Sequence, residues 1–186
     1  MGLAAFVVGA RRATTGRVSP VEERMFRAIN RLPEGLHPPV WTVMQAGSLG
    51  AVGVAAGVAH RLGRPRQAVA LGLSGAAIWA ACKAVKPLVG RGRPEAHLDS
   101  VSVRGPAQTG LGYPSGHSAV AADLAFVAVT GATTGVGLSM AAVVGVVGFA
   151  RVYTGAHLPL DVLGGWGLGI AAGALARVAL GLFPGS

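Results

Sequence analysis

Residues 67–85 read QAVALGLSGAAIWAACKAV, with Lys83 the one charged side chain in the stretch. A helix needs about 20 apolar residues to cross the hydrocarbon of a bilayer, and this run is close to that length. Backbone polar groups facing lipid must be satisfied within the segment, so the run is expected as a helix. Working outward, four more apolar segments lie at about 40–59, 118–134, 136–150 and 159–180. The 118–134 and 136–150 segments are near the short limit for a span. The fold class expected is therefore all-α: a polytopic transmembrane helical bundle of about five spans, with a partial sixth as a variant, plus an N-terminal amphipathic helix. Residues 1–39 read as the N-terminal segment and residues 40–186 as the transmembrane domain.

Composition agrees. Hydrophobic residues make up 52% of the 186 and charged residues 12%, about half the charge of an ordinary soluble domain. That leaves too few charges to cover a soluble surface and too much apolar content for a disordered chain. One cysteine, Cys82, excludes a disulfide scaffold. The 30 glycines suit close helix packing in a membrane. Gly165, Gly169 and Gly173 recur every four residues and give one smooth helix face, suited to internal packing, with a homodimer interface as the alternative. The net charge of +9, with 5% aromatic residues, points to anionic headgroups or a phosphorylated lipid rather than to nucleic acid.

The N-terminal segment has two parts. Residues 2–10 are apolar but too short to span, and Arg11 and Arg12 follow them. A signal peptide carries its charges ahead of the apolar stretch, so this reads as a dipping segment or a shortened first helix. Ser19-Pro20-Val21-Glu22-Glu23 reads as a helix start: a capping serine, proline at the first helical position, and acids in the first turn. Val21, Met25 and Ile29 then share a stripe, with Arg24, Arg27 and Arg31 off it. Such a helix can lie in the headgroup plane or pack on the bundle. Pro33, Pro38 and Pro39 mark the loop that follows.

Polar residues concentrate in two connections, 86–117 and 151–161. Two helices separate them, so both emerge on one side of the membrane and can build one site. In the first, Lys86, Arg91 and Arg93 sit close together. Pro94 forces an extended or turn geometry on Arg93, whose guanidinium can then pair with phosphate oxygens. Next comes Pro114-Ser115-Gly116-His117, directly ahead of an apolar helix. Helix N-terminal amides bind phosphate, Gly116 permits close approach, the Ser115 hydroxyl can donate, and His117 titrates near neutrality. In the second connection, Arg151 is followed by His157 and then Asp161. Asp161 in a first turn can reach back to hold one ring nitrogen of His157, leaving the other as a nucleophile or ligand.

Taken in order, Lys86-x6-Arg93-Pro94, Pro114-Ser115-Gly116-His117 and Arg151-x5-His157-x3-Asp161 specify ten positions. The pattern resembles the three-part signature of the type-2 phosphatidic acid phosphatase superfamily, which includes vanadium-dependent haloperoxidases and bacterial acid phosphatases. The resemblance covers residues 86–161, and the helical layout extends it to about 40–180. One position departs: the family usually has serine before the third-motif arginine, where this chain has Ala150, so one hydroxyl donor is missing. The resemblance implies that His157 attacks phosphorus and forms a phosphohistidine, and that Asp161 orients it. It implies that His117 protonates the leaving oxygen and then activates water. Lys86, Arg93, Arg151, Ser115 and the Gly116 amide would hold the phosphate oxygens. Three fixed cations can neutralise the charge of phosphoryl transfer. The five histidines, at 37, 60, 97, 117 and 157, show no paired ligand spacing, so neither metal nor cofactor is expected.

Weaker candidates are His97 and Glu95 for substrate contact. Tyr113 and Tyr153 are expected in packing, Asp123 facing the bundle interior, and Lys83 snorkelling to the interface. The short 95–113 loop leaves little chain for a lid over a soluble substrate. A lipid phosphate or diphosphate therefore fits best as partner, with glycerophospholipid and polyprenyl headgroups both open. A haloperoxidase-like enzyme fits the membrane spans and short chain poorly. A catalytically silent lipid-phosphate-binding protein is the alternative of another class. Arg61, Arg64 and Arg66 favour a cytoplasmic 61–66 link. That places the site on the extracytoplasmic face of the plasma membrane, although six arginines at 11–31 pull the other way.

Overall fold

The computed structural model describes residues 2–182, all helix, turn and loop with no strand among them. Eight α-helices follow one another: α1 (Gly2–Ala13), α2 (Pro20–Asn30), α3 (His37–Met44), α4 (Leu49–Arg61), α5 (Pro65–Val89), α6 (Gly116–Ala128), α7 (Thr134–Tyr153) and α8 (Pro159–Ala179). By length and composition α5, α7 and α8 can each cross a membrane, and the bent pair Glu34–Gly47 and Leu49–Arg61 makes a fourth if taken as one span.

Two of the expected spans differ from the observed helices. The segment at 40–59 is not one rod. It breaks at 45–48, and its halves meet at 64°. Ser48 is extended there and its hydroxyl accepts a bond from the Ala51 amide at 3.3 Å, so it starts a new helix instead of continuing the old one. The segment at 118–134 folds as α6, 13 residues long. At 1.5 Å per residue that is about 20 Å, short of the ~30 Å hydrocarbon thickness.

α6 is short because it is the centre of the bundle. It packs on α5, α7 and α8, and Ala119, Val120, Ala122 and Val127 are all buried. Its closest neighbour is α8. A Cβ on Gly165 would stand 2.5 Å from the Ser115 carbonyl oxygen, one on Gly169 would overlap the Ala119 carbonyl, and one on Gly173 would stand 3.0 Å from that of Asp123. The four-residue glycine repeat is thus filled within the chain. α1 lies on another face of α8, where Gly2 and Gly167 bring the two backbones together. A second cluster, Val52, Leu71, Ile78, Val120 and Leu124, joins α4, α5 and α6.

α2 starts as its sequence suggests, with the Ser19 hydroxyl accepting from the Glu22 amide at 3.2 Å and Pro20 at the first helical position. It packs on α7 and α8. The face it buries carries Glu22, Phe26 and Asn30, while Val21 and Met25 are 57% and 50% exposed. Of the apolar stripe Val21 and Met25 point outward and Ile29 packs beside Phe26, and two polar residues, Glu22 and Asn30, face protein. Asn30 explains this: its amide nitrogen donates to the carbonyls of Ser102 and Tyr153 and its oxygen accepts from the Ser102 amide.

The two polar connections lie at the same end of the bundle, where α5 and α7 finish and α6 and α8 begin. At the other end Arg64, Arg66, Thr130, Gly131 and Gly181 line one groove.

Candidate active site

The site residues sit at helix ends or in the loops that join them. α5 stops at Gly90, which is left-handed (φ 69°) and donates its amide to the Lys86 carbonyl. Lys86 is therefore in the last turn. Its Nζ reaches across the end of the helix to the carbonyls of Leu111 and Gly112, at 2.7 and 3.0 Å. Arg93 is extended ahead of Pro94 (φ −81°, ψ 170°), and donates to the carbonyls of Ala156 at 2.7 Å and Thr109 at 3.2 Å. Lys86 thus ties the end of α5 to the loop before α6, and Arg93 ties that loop to the one before α8.

α6 begins at Gly116, and Ser115 ahead of it makes no side-chain capping bond. The Ser115 hydroxyl instead accepts from Ser118 at 2.9 Å, and its amide donates to the Asp161 carbonyl. A Cβ on Gly116 would meet nothing within 4 Å, so the chain is open at that position while Ser118 and Ala119 on the same turn are buried. His117 follows on that turn.

Between α7 and α8 the chain turns tightly, with the amides of Ala156 and His157 both donating to the Arg151 carbonyl. Gly155 makes the turn possible. Its φ is +72°, and a Cβ there would stand 2.6 Å from the Ser102 carbonyl oxygen. α8 starts at Pro159, and Asp161 in its first turn accepts from the Leu158 amide at 2.9 Å. The same Asp161 oxygen, Oδ2, lies 3.4 Å from Nδ1 of His157. That is an ion-pair distance without hydrogen-bond alignment, and catalytic hydrogen bonds are often long before substrate binds. Arg151 is buried, with Nη1 3.3 Å from the sulfur of Met44. Among the described residues no carboxylate lies within salt-bridge distance of Lys86, Arg93 or Arg151.

The electrostatics shows convergence. His157 is buried and is held well below the usual histidine range, first by burial and then by the charges of Arg151, Lys86, Arg93 and His117. Residues as far apart in sequence as 86 and 157 therefore share one electrostatic neighbourhood. Asp161 supplies the negative end. No group of three or more His, Cys, Asp or Glu side chains comes together as a metal cage among the described residues.

Residues 67–181, more than half of the chain, match the PAP2 superfamily, and the match contains all three motifs. The chain belongs to that superfamily. Two solved structures share the fold of this PAP2 chain. Aquifex aeolicus LpxE superposes with a TM-score of 0.78 at 23% identity, covering 86% of this chain and 96% of that one. The first transmembrane PAP2-type phosphatidylglycerolphosphate phosphatase from Bacillus subtilis gives 0.74 at 21% identity, covering 96% and 94%. At such identities the likeness concerns the fold. No curated protein matches the chain in sequence.

Within this PAP2 chain other residues take up supporting places. Tyr113 is buried and donates its hydroxyl to the Phe6 carbonyl at 2.7 Å, holding α1 to the site loop. Tyr153 donates to the Pro33 carbonyl at 2.8 Å. Both pack, as their sequence setting suggests. Asp123 faces the bundle interior and accepts from Ser74 at 2.8 Å. Lys83 lies over the Trp79 ring at 3.6 Å. Ala150 is fully buried beside Arg151 and adds no donor. Glu95 is exposed, and His97 packs against Gly92.

Three residues were not legible as parts of the site. Arg104 donates to the carbonyls of Asn30, Leu32 and Tyr153 and anchors the loop ahead of α6. Arg91, grouped in sequence with Lys86 and Arg93, turns away from them to Glu22 and Asp161. Glu22 is 69 positions from Arg91. Its place in a helix first turn explained it locally and gave no signal of that partner.

Proposed function

We propose that this PAP2 chain is an integral membrane phosphatase that removes phosphate from a lipid phosphate or diphosphate through a phosphohistidine at His157, without a metal. The observation that carries the reading is a packing of three cations around one buried histidine, His157. Arg93 donates to the Ala156 carbonyl next to it, the Arg151 carbonyl accepts from the His157 amide, and Lys86 donates to the carbonyl of Gly112, which lies against Asp161. The His157 Nδ1 faces Asp161 at 3.4 Å. Asp161 keeps the proton on Nδ1, so Nε2 has a free lone pair. Nε2 attacks phosphorus, the bond to the leaving oxygen breaks, and His117 gives that oxygen a proton. His117 then takes a proton from water, hydroxide attacks phosphorus, the P–N bond breaks, and phosphate leaves. The three cations, the Ser115 hydroxyl and the open amides of α6 meet the charge on the phosphoryl oxygens.

A lipid substrate is supported by an apolar groove of about 620 Å³ between α4, α6 and α7, lined by Ser48, Ala51, Val54, Ala121, Leu124 and Met140 among others. Its upper end is the break in the α3–α4 pair, whose Gly47 touches the His117 carbonyl. A headgroup at the histidines can therefore keep a chain in hydrocarbon. An extracytoplasmic site is supported by Arg61, Arg64 and Arg66 near the end opposite the catalytic loops.

Protein purified in detergent, given a panel of lipid mono- and diphosphates with EDTA present, should release phosphate. Vanadate should inhibit and His157→Ala should abolish turnover. Binding without release from any lipid would favour a silent binder, and activity lost to chelator and restored by Mg²⁺ would refute the metal-free mechanism. Impermeant labelling of single cysteines placed in the 61–66 link of intact cells would overturn the orientation.

A further inference from the structure

The catalytic carboxylate is not alone in its pocket. Arg91 Nη1 lies 2.9 Å from Asp161 Oδ1, and the same guanidinium grips Glu22 on α2 with both nitrogens, at 3.1 and 2.8 Å. Side-chain exposure is 0% for Arg91 and Asp161 and 9% for Glu22. Glu22 also accepts from the Leu160 amide at 2.9 Å, one residue before Asp161. Two carboxylates and one guanidinium thus form a buried cluster of net charge −1 that spans α2, the loop after α5, and α8.

Remove Glu22 from this arithmetic and the cluster is neutral. Arg91 would then cancel the charge of Asp161 at the oxygen away from His157. Buried charges act strongly on each other, and a guanidinium without its second carboxylate would still stabilise the Asp161 carboxylate but would set its own positive charge against one forming on His157. After burial, the groups that act most on His157 oppose its positive charge: Arg151 from α7, Lys86 from α5, Arg93 from the loop after it and His117 from α6, while Asp161 Oδ2 stands 3.4 Å from its Nδ1. Asp161 is the counterweight.

Resting on the phosphohistidine reading above, we propose that Glu22 is a positioning residue. Its carboxylate offsets the charge of Arg91, so that the negative charge of Asp161 meets His157 with no net positive charge behind it, and through the Leu160 amide it fixes the first turn of α8. The amphipathic helix α2 is by this account part of the catalytic apparatus, its polar face delivering one carboxylate while Val21 and Met25 face outward.

The test compares an isosteric neutral variant with a shorter charged one, in the full-length protein, on a lipid phosphate that the wild type turns over. Glu22→Gln should lower kcat by about 10- to 100-fold, the range for losing a partner that orients an active-site group, with KM changed little. It should also move the acid limb of kcat/KM to lower pH, because a negative charge near His157 is gone. Glu22→Asp keeps the charge and should retain the wild-type acid limb with a smaller loss in kcat. A purely structural Glu22 predicts the opposite order, since Gln preserves the packing and Asp does not. Glu22→Gln with wild-type kcat and limb overturns the proposal. If Glu22→Gln does not fold, Glu22→Asp decides, and a displaced limb or a loss beyond tenfold overturns it. His157→Ala run alongside separates the two claims: residual turnover there sinks the phosphohistidine reading, whereas its abolition with an unaffected Glu22→Gln sinks only this one.

Discussion

Gly47 lies directly against the backbone of His117, so that a methyl group at position 47 would overlap the His117 carbonyl oxygen and stand 2.9 Å from Val147 Cγ1. The break in the α3–α4 pair is therefore seated on the first turn of α6, where the proposed acid–base histidine begins its helix. Neither neighbour is a flexible tip, so neither can yield cheaply. Gly47→Ala should cost about 1–3 kcal/mol in stability, as overpacking does. Because the displaced group is the His117 backbone, activity per folded molecule should fall as well. Thermal unfolding in detergent and kcat on the same preparation measure the two effects. A variant with wild-type values for both would show that the contact relaxes without consequence.

The α6–α8 contact makes a separate prediction, on stability alone. Gly169 lies against the Ala119 carbonyl and Ala122, two turns along α8 from Asp161. Gly169→Ala should lower the unfolding midpoint, by about 1–3 kcal/mol of overpacking. Gly53→Ala is the control. Gly53 has nothing within 4 Å of a Cβ, and alanine is the better helix former. Equal midpoints for the two variants would mean that α8 slides away from α6 at little cost.

The helices and the motif-bearing loops were legible because the signals are local. A long apolar run, a proline at a helix start and a glycine at its end each act within a few residues, and α5, α7 and α8 appear close to where those signals put them. The histidine–aspartate pair was legible for the same reason, being four residues apart across a helix start. What escaped was set by distance in sequence. Gly47, beside the Ser48 cap that breaks the segment, is seated on His117, seventy positions on. Glu22 finds Arg91 across 69 positions. In α2 the periodicity of Val21, Met25 and Ile29 picks out a face of which Val21 and Met25 point outward. The buried face instead sets Phe26 between Glu22 and Asn30, whose partners, the Arg91 guanidinium and the Ser102 and Tyr153 carbonyls, hydrophobic periodicity does not register. The 118–134 segment folds as a helix of only 13 residues, and its apolar content serves mainly packing against α5, α7 and α8, with Ala121 and Leu124 lining the groove.

One part of the pH dependence comes from His157, and His117, expected to titrate near neutrality but held down to about 4 by burial and then Arg151, adds to it with the same sign. Burial and the nearby cations hold the folded pKa of His157 well below the usual value, which in an unfolded chain is about 6.5. Below that pH the unfolded chain takes up a proton that the native state refuses, so this contribution to stability is full above about 6.5 and is lost as pH falls. The midpoint of wild type should therefore drop more than that of His157→Asn on going from pH 7.5 to 5. The acid limb of kcat/KM, which reports the free enzyme, should likewise lie below 6.5. Parallel midpoint curves for the two proteins would place the histidine in water rather than in the cationic pocket.

The groove between α4, α6 and α7 predicts a dependence on substrate chain length that no change in the phosphate pocket would mimic. Val54 lines the groove from α4 and is 68% exposed, so a larger side chain there fills the groove without entering the core. Val54→Trp should raise KM for a long-chain lipid phosphate several-fold and leave kcat nearly unchanged, since uniform binding is what is lost. For a water-soluble substrate of six-carbon chains neither constant should move. Each methylene taken out of the groove is worth at most about 0.8 kcal/mol, so the penalty should grow stepwise with chain length until the chain passes the position of Val54. A KM increase that is the same for short and long chains would mean that the tail lies elsewhere on the bundle.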